Sequence, residues 1–302
     1  MLQLNLATVF YLTTATFLWA CNAIGAKALV GSISPITLSA VRWGIAAILL
    51  LPLGWRVFKP SSSLWKNKTR FLILGLLGVG SYNALLYLAL QTSTAINVTL
   101  IGSSMPIWML FIGAFFYGVR PNLLQIFGAA ISIFGVALVL TRGDLETILS
   151  LQAVPGDLFI MCATLLWAIY SWMLSKPGSS NEREWPWAEF LMAQVFIGFL
   201  WASLFDGFEL ASGDAYMHLS YWEWALIVFI AIGPSVIAYR FWGMGVVKAG
   251  PTAAAFFANL IPLFTALLSA ALFGEPPRLF HGLAFILIVS GILISSIRSR
   301  AS

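Results

Sequence analysis

Trp19 and Asn22 stand three residues apart in an apolar run, and Trp167 and Tyr170 stand in the same way in a second run. Residues of these types do not break bonds. They hold a small molecule, with rings receiving its apolar part and amide or hydroxyl groups its polar part. Tyr82 and Asn83, Ser103 and Ser104, Tyr239 and Asn259 extend the set, each inside a hydrophobic stretch where a polar side chain must bond within the protein or face water. The competing reading for each is a structural bond between helices. Pro106, Pro262 and Pro234 interrupt the same stretches. A proline frees a carbonyl about one turn earlier, near Gly102 for Pro106 and near Ala258 for Pro262, so Gly102 and the three prolines are read as hinge positions beside the binding residues.

Other chemistries lack their residues. The histidines, His218 and His281, show no metal-ligand spacing and no nucleophile beside them, and the phosphate-binding pattern G-x-x-x-x-G-K-[ST] is missing. No metal, cofactor or ATP is expected. Cys21 and Cys162 each fall in an apolar run and imply no disulfide framework. Asp157, Glu189 and Glu223 sit near run ends, leaving no carboxylate at mid-depth for proton exchange. Arg42 and Arg240 are the deepest charges, and both are close enough to an interface to snorkel.

The elements that position these residues must cross a membrane. The 302 residues are 60% hydrophobic and 9% charged, against about 25% charged in soluble domains, and the mean hydropathy is +0.93. Ten runs are long enough to span, near 6–28, 35–54, 71–91, 95–117, 122–141, 156–174, 187–205, 222–242, 251–273 and 279–297. The first is read as a span and not a cleaved leader, since no basic segment precedes it. A net charge of +5 reflects topology and not nucleic-acid binding, because the Lys and Arg lie in short connectors. With the N-terminus cytoplasmic, eleven of them fall on the cytoplasmic side against Lys27, Arg142 and Arg278 on the other, and both termini are cytoplasmic. The acidic connector carrying Asp206, Glu209, Asp214 and Glu223 then falls outside.

The spans repeat. Ala15-Thr16-Phe17-Leu18-Trp19-Ala20 returns as Ala163-Thr164-Leu165-Leu166-Trp167-Ala168. A shift of 156 positions then pairs Pro106 with Pro262, Gly118 with Gly274, Pro121 with Pro277 and Gly135 with Gly291. Residues 1–145 and 146–302 are therefore read as two five-helix repeats. Five is odd, so the second enters the membrane upside down, as in many secondary transporters.

This arrangement, with Trp19 and Trp167 in the first helix of each half and the units Pro106 to Pro121 and Pro262 to Pro277, resembles the drug/metabolite transporter superfamily, EamA type. Ser81-Tyr82-Asn83 and the aromatic content resemble its YddG-type aromatic amino-acid exporters. The resemblance implies an all-α membrane protein with two inverted repeats around a central cavity lined by spans 1, 3, 4, 6, 8 and 9, spans 5 and 10 at the rear, and a rocking motion. It further implies export of small metabolites, amino acids including aromatic ones, across a bacterial inner membrane, in contact with lipid and without nucleic acid, and the lack of a mid-depth carboxylate adds the expectation of a facilitator. A monomer is expected, with a dimer as the alternative. The runner-up is a nucleotide-sugar, phosphorylated-metabolite or multidrug carrier of the same superfamily. A phosphorylated cargo asks for fixed cations in the cavity, and only Arg42 and Arg240 could serve. A membrane enzyme or a scaffold ranks lower.

Overall fold

Lipid offers no partner to backbone N–H and C=O groups, so an apolar run in a membrane must satisfy them within itself, and helix results. A computed structural model describes residues 4–93, 95–150, 152–178, 182–273 and 279–297. Nine helices among them are long and apolar enough to cross a membrane: α1 (Leu6–Ala28), α2 (Pro35–Gly54), α3 (Lys68–Leu90), α4 (Asn97–Tyr117), α5 (Leu123–Leu140), α6 (Pro155–Ser175), α7 (Trp187–Ser212), α8 (Tyr221–Ala249) and α9 (Pro251–Leu272). A shorter apolar helix, α10 (Leu279–Ser295), completes the bundle. At the start of α1 the Asn5 side chain accepts the Thr8 amide at 2.8 Å, and prolines open α2, α6 and α9, where a missing N–H costs nothing. Gly118 and Gly213, at φ 65° and 82°, close α4 and α7 in the left-handed conformation that glycine adopts without strain.

Two expected spans end too early. Helix α7 continues from 205 to Ser212 and α8 from 242 to Ala249, because a helix need not stop where the hydrocarbon does. Asp206 and Glu209 are thus helical and Glu223 lies in the first turn of α8, so they do not form a loose acidic connector. The matches at Gly274 and Pro277, and the charges Arg278, Arg298 and Arg300, lie outside the described residues.

The packing obeys one exchange rule. Helix α1 lies against α8 and α9, and its counterpart α6 lies against α3 and α4; α2 packs on α7 and α5 on α10; α3 meets α7 as α8 meets α2. Exchanging each helix with the one five places on reproduces these contacts, although α6 also touches α8 and α9 where α1 has no matching contact with α3 or α4 of similar extent. Local distortions follow the rule too. A π-helical segment occupies Gly75–Ser81 in α3 and Ala231–Ile237 in α8, 156 residues apart. Helix α4 breaks at Ser103 and Ser104, and α9 breaks at Asn259, which is Ser103 shifted by 156. Leu6, Phe115, Phe116 and Leu123 point outward with most of their surface uncovered, as suits side chains meeting lipid.

Candidate functional site

Rings from both halves meet at the centre of the bundle. Trp19 of α1 and Trp167 of α6 are in T-shaped contact at 5.3 Å. Tyr82 of α3 lies 5.3 Å from Trp167, and Tyr170 lies 5.0 Å from it. Tyr239 of α8 touches both tryptophans, at 6.0 and 5.6 Å. Five residues singled out in the sequence therefore share one aromatic layer. Two more belong to it: Trp43 of α2, 5.0 Å from Tyr239, and Trp242 of α8, 5.2 Å from Trp19. Trp242 follows Tyr239 by three residues, and that spacing was the available signal for it. Trp43, Trp167, Tyr170, Tyr239 and Trp242 are buried in the layer, whereas Trp19 and Tyr82 keep part of their surface uncovered. A cavity of ≈ 460 Å³ lies between α4 and α5, lined by apolar side chains including Ile107, Phe111 and Ile133, and it offers nothing to orient a polar solute.

The π-helical segments anchor the layer. Widening a helix by one residue releases carbonyls from its ladder, and such segments often mark working sites. The Tyr239 hydroxyl donates to the Gly78 carbonyl at 2.5 Å, and the Trp19 indole donates to the Pro234 carbonyl at 3.2 Å. Gly78 and Pro234 are repeat equivalents, so each half receives a ring from the other half at the same position. A Cβ on Gly78 would lie 2.5 Å from the Tyr170 ring, so that ring can sit there only against glycine. The Tyr170 hydroxyl donates to Gln194 Oε1 at 3.0 Å.

The remaining predicted residues are placed elsewhere. Ser103 and Ser104 turn their hydroxyls onto the Leu100 and Ile101 carbonyls of their own helix, each at 2.6 Å, which satisfies the break before Pro106. A Cβ on Gly102 would meet open space. Asn83 is buried in α3. Asn259 donates to Ser132 on α5 at 2.9 Å, so it ties α9 to the rear pair and stays away from the rings. Arg240 lies over the Trp187 ring near the end of the bundle. Arg42 does not snorkel. It is 4% exposed, donates to Asn22 Oδ1 at 3.0 Å, and lies 4.9 Å from the centre of the Trp43 ring. The sequence of α2 is apolar all round beyond Thr37, Ser39 and Arg42, and so gives little sign of which way that helix turns.

Two polar seams join the halves above and below the layer. On the face that carries the termini, Arg70 at the start of α3 donates to Glu182 Oε1 at 2.7 Å and to the Met173 and Lys176 carbonyls at 2.6 and 2.9 Å. Its Nε stands 2.6 Å from Glu182 Oε2, too poorly aligned for a hydrogen bond but close enough to act as a charge. On the opposite face the α1–α2 connector grips α7 and α8. Glu209 accepts the Ser34 hydroxyl at 2.8 Å and the Thr37 amide at 2.9 Å, Asp206 accepts the Thr37 hydroxyl at 2.6 Å, and Ser32 bonds Glu223. An antiparallel bridge between Ile33 and Met217 lies in the same seam.

The profile of the EamA-like transporter family matches residues 6–141 and again residues 154–297. The chain belongs to the EamA-like transporter family. An uncharacterised transporter of Bacillus subtilis, YyaM, is 28% identical over 272 residues, 90% of this chain and 87% of that protein. The aromatic amino acid exporter YddG of Ancylobacter novellus is 25% identical over 293 residues, 95% of this chain and 96% of that one. A solved crystal structure superposes with a TM-score of 0.75 over 96% of this chain and 97% of its own, at 19% identity, which establishes the fold alone. This EamA-like protein is thus a multi-pass transporter and not an enzyme.

Proposed function

We propose that this EamA-like transporter exports small metabolites, amino acids including aromatic ones, by alternating access. The aromatic layer carries the reading: Trp19 and Trp167 meet there from opposite halves, between seams that each tie one half to the other. Opening one seam while the other holds would expose the layer to one side of the membrane only. Residues 1–145 and 146–302 form the two rocking repeats, the first entering from the cytoplasm and the second inverted, in a bacterial inner membrane with both termini inside. Amino acids suit this layer, since rings receive the side chain and polar groups the backbone atoms. The named function of the Ancylobacter relative points the same way. Among the described carboxylates, Asp157, Glu189 and Glu223 stand in first turns of helices, so transport is facilitative and driven by the substrate gradient.

The test is efflux of labelled phenylalanine, threonine and lysine from proteoliposomes, with and without a proton gradient. Phenylalanine leaves without the gradient in the native protein. The double variant Trp19→Ala, Trp167→Ala, still folded, loses at least about tenfold in rate, in line with about 1.5 kcal/mol from lost aromatic contacts. Normal efflux from that variant removes the layer from the transport path. Flux that requires the gradient overturns the facilitative reading.

A further inference from the structure

Several buried donors around Tyr239 have nothing to donate to. Arg42 Nε, the Trp43 indole N–H and the Trp167 indole N–H lack a partner, and their residues are 4%, 0% and 4% exposed. Ser39 Oγ, one turn before Trp43, is also unpartnered. Trp43 and Trp167 both contact Tyr239, at 5.0 and 5.6 Å, and Arg42 lies over Trp43. Guanidinium and indole N–H groups only donate, so what would satisfy them together is an acceptor. The charge asks for the same thing. Among the described residues Arg42 forms no ion pair, and its one hydrogen bond goes to the neutral Asn22 amide. The Trp43 ring face offsets part of that charge. A clamp between α1 and α2 would not need a cation, and a buried guanidinium without a counter-charge is costly enough to be read as functional.

We propose that Arg42, oriented by Asn22, receives the carboxylate of the substrate, with the Trp43 and Trp167 N–H groups as further donors. The transporter then accepts molecules that bear a carboxylate and refuses amines that lack one. This deepens the amino-acid reading and rests on it for the position of the site. The fork of Arg42 suits a carboxylate geometrically, which a lysine ammonium would match less well. A phosphate monoester, with up to two charges, would leave one unmet, since Arg42 is the cation that the described residues bring to the layer.

Three aromatic probes separate the possibilities in proteoliposomes containing the full chain: phenylalanine, phenylpyruvate, which keeps the carboxylate without the ammonium, and phenethylamine, which keeps the ammonium alone. The native protein carries the first two and not the third. Arg42→Gln raises half-saturation for phenylalanine by about ten- to a hundredfold, the loss of a charge-assisted hydrogen bond, and Arg42→Lys falls between. Asn22→Ala, which keeps the cation and removes its orienting amide, shows a smaller rise and serves if the Gln variant does not fold. Transport of phenethylamine as fast as phenylalanine, or an unchanged half-saturation in Arg42→Gln, overturns the proposal and leaves the amino-acid reading standing. Arg42-dependent transport of phenylpyruvate without phenylalanine does the reverse. No flux of either carboxylate probe overturns both.

Discussion

The two seams occupy equivalent places and are built from different chemistry. On the termini face the start of α3 meets the α6–α7 connector; on the opposite face the start of α8 meets the α1–α2 connector, which is the same contact after the halves are exchanged. The first depends on one cation, Arg70, reaching two backbone carbonyls and both oxygens of Glu182. The second spreads its bonds over Glu209, Asp206 and Glu223, each accepting from hydroxyls or amides. A lock held by one side chain can be lost in a single step, whereas a distributed lock weakens by degrees. The two repeat-related positions therefore carry contacts of unequal chemistry, and under the alternating access proposed above that inequality would favour one resting state.

Removing the cation should give the largest effect. Arg70→Gln strips Glu182 of its cationic partner while both side chains are mostly covered, at 15% and 6% exposure, a loss of about 2 kcal/mol or roughly thirtyfold in an opening equilibrium. Hydrogen exchange reads each seam separately. The Gly178 amide, which donates to Glu182 at 2.6 Å, should exchange about thirtyfold faster. The Thr37 and His218 amides, which donate to Glu209 at 2.9 Å and to the Ser32 carbonyl at 2.7 Å, should slow as the population moves to the state closed on their side. Equal loosening at both faces would mean that Arg70 holds the fold together and gates nothing.

Glu209→Gln tests the distributed seam and should act more gently. The amide keeps one acceptor oxygen for the Thr37 amide, and the Asp206 and Glu223 bonds remain. About 1 kcal/mol is lost, roughly fivefold in exchange at Thr37, with no acceleration at Gly178. A thirtyfold response would contradict the contrast between the seams and make Glu209 a single point of control like Arg70.

The span edges were legible to within a few residues for most helices, because hydropathy is a property of one segment at a time. The register of the repeat was legible for a similar reason, since Pro106 with Pro262 and Gly135 with Gly291 mark equivalent points without reference to any contact. What the sequence hid was direction. Arg42 lies two turns into α2, a depth from which it could snorkel or turn inward, and only packing chooses. Arg70 reads from the sequence as one of the eleven cytoplasmic connector charges, although its partner is 112 residues away in another connector. Asn259 and Trp19 both read as polar or aromatic groups at mid-depth, yet one faces the rear pair and the other the rings. The π-helical widening at Gly75–Ser81 leaves no mark in residue type beyond its glycines.

The hinges carry the smallest expected effect and bear on the same asymmetry. Both α4 and α9 break a few residues before a proline, but the breaks are held differently. Around Gly102 an added Cβ would meet open space, and the Ser103 and Ser104 hydroxyls bond to carbonyls of their own helix, so no side-chain hydrogen bond from these two serines ties the break to a neighbouring helix. The break in α9 is pinned by Asn259 to Ser132 and packed between Ala258 and Leu260, both buried. Alanine at either proline restores one amide and one helical bond, worth about 1 kcal/mol, which stiffens the break. Pro106→Ala should therefore slow the transport cycle by about threefold to fivefold, with half-saturation for phenylalanine nearly unchanged. Pro262→Ala should do less, because its helix is already restrained by its neighbours. Equal slowing by the two variants would show that the halves flex alike and that the asymmetry resides in the seams alone; a change in half-saturation without a change in rate would remove the hinge role from both prolines.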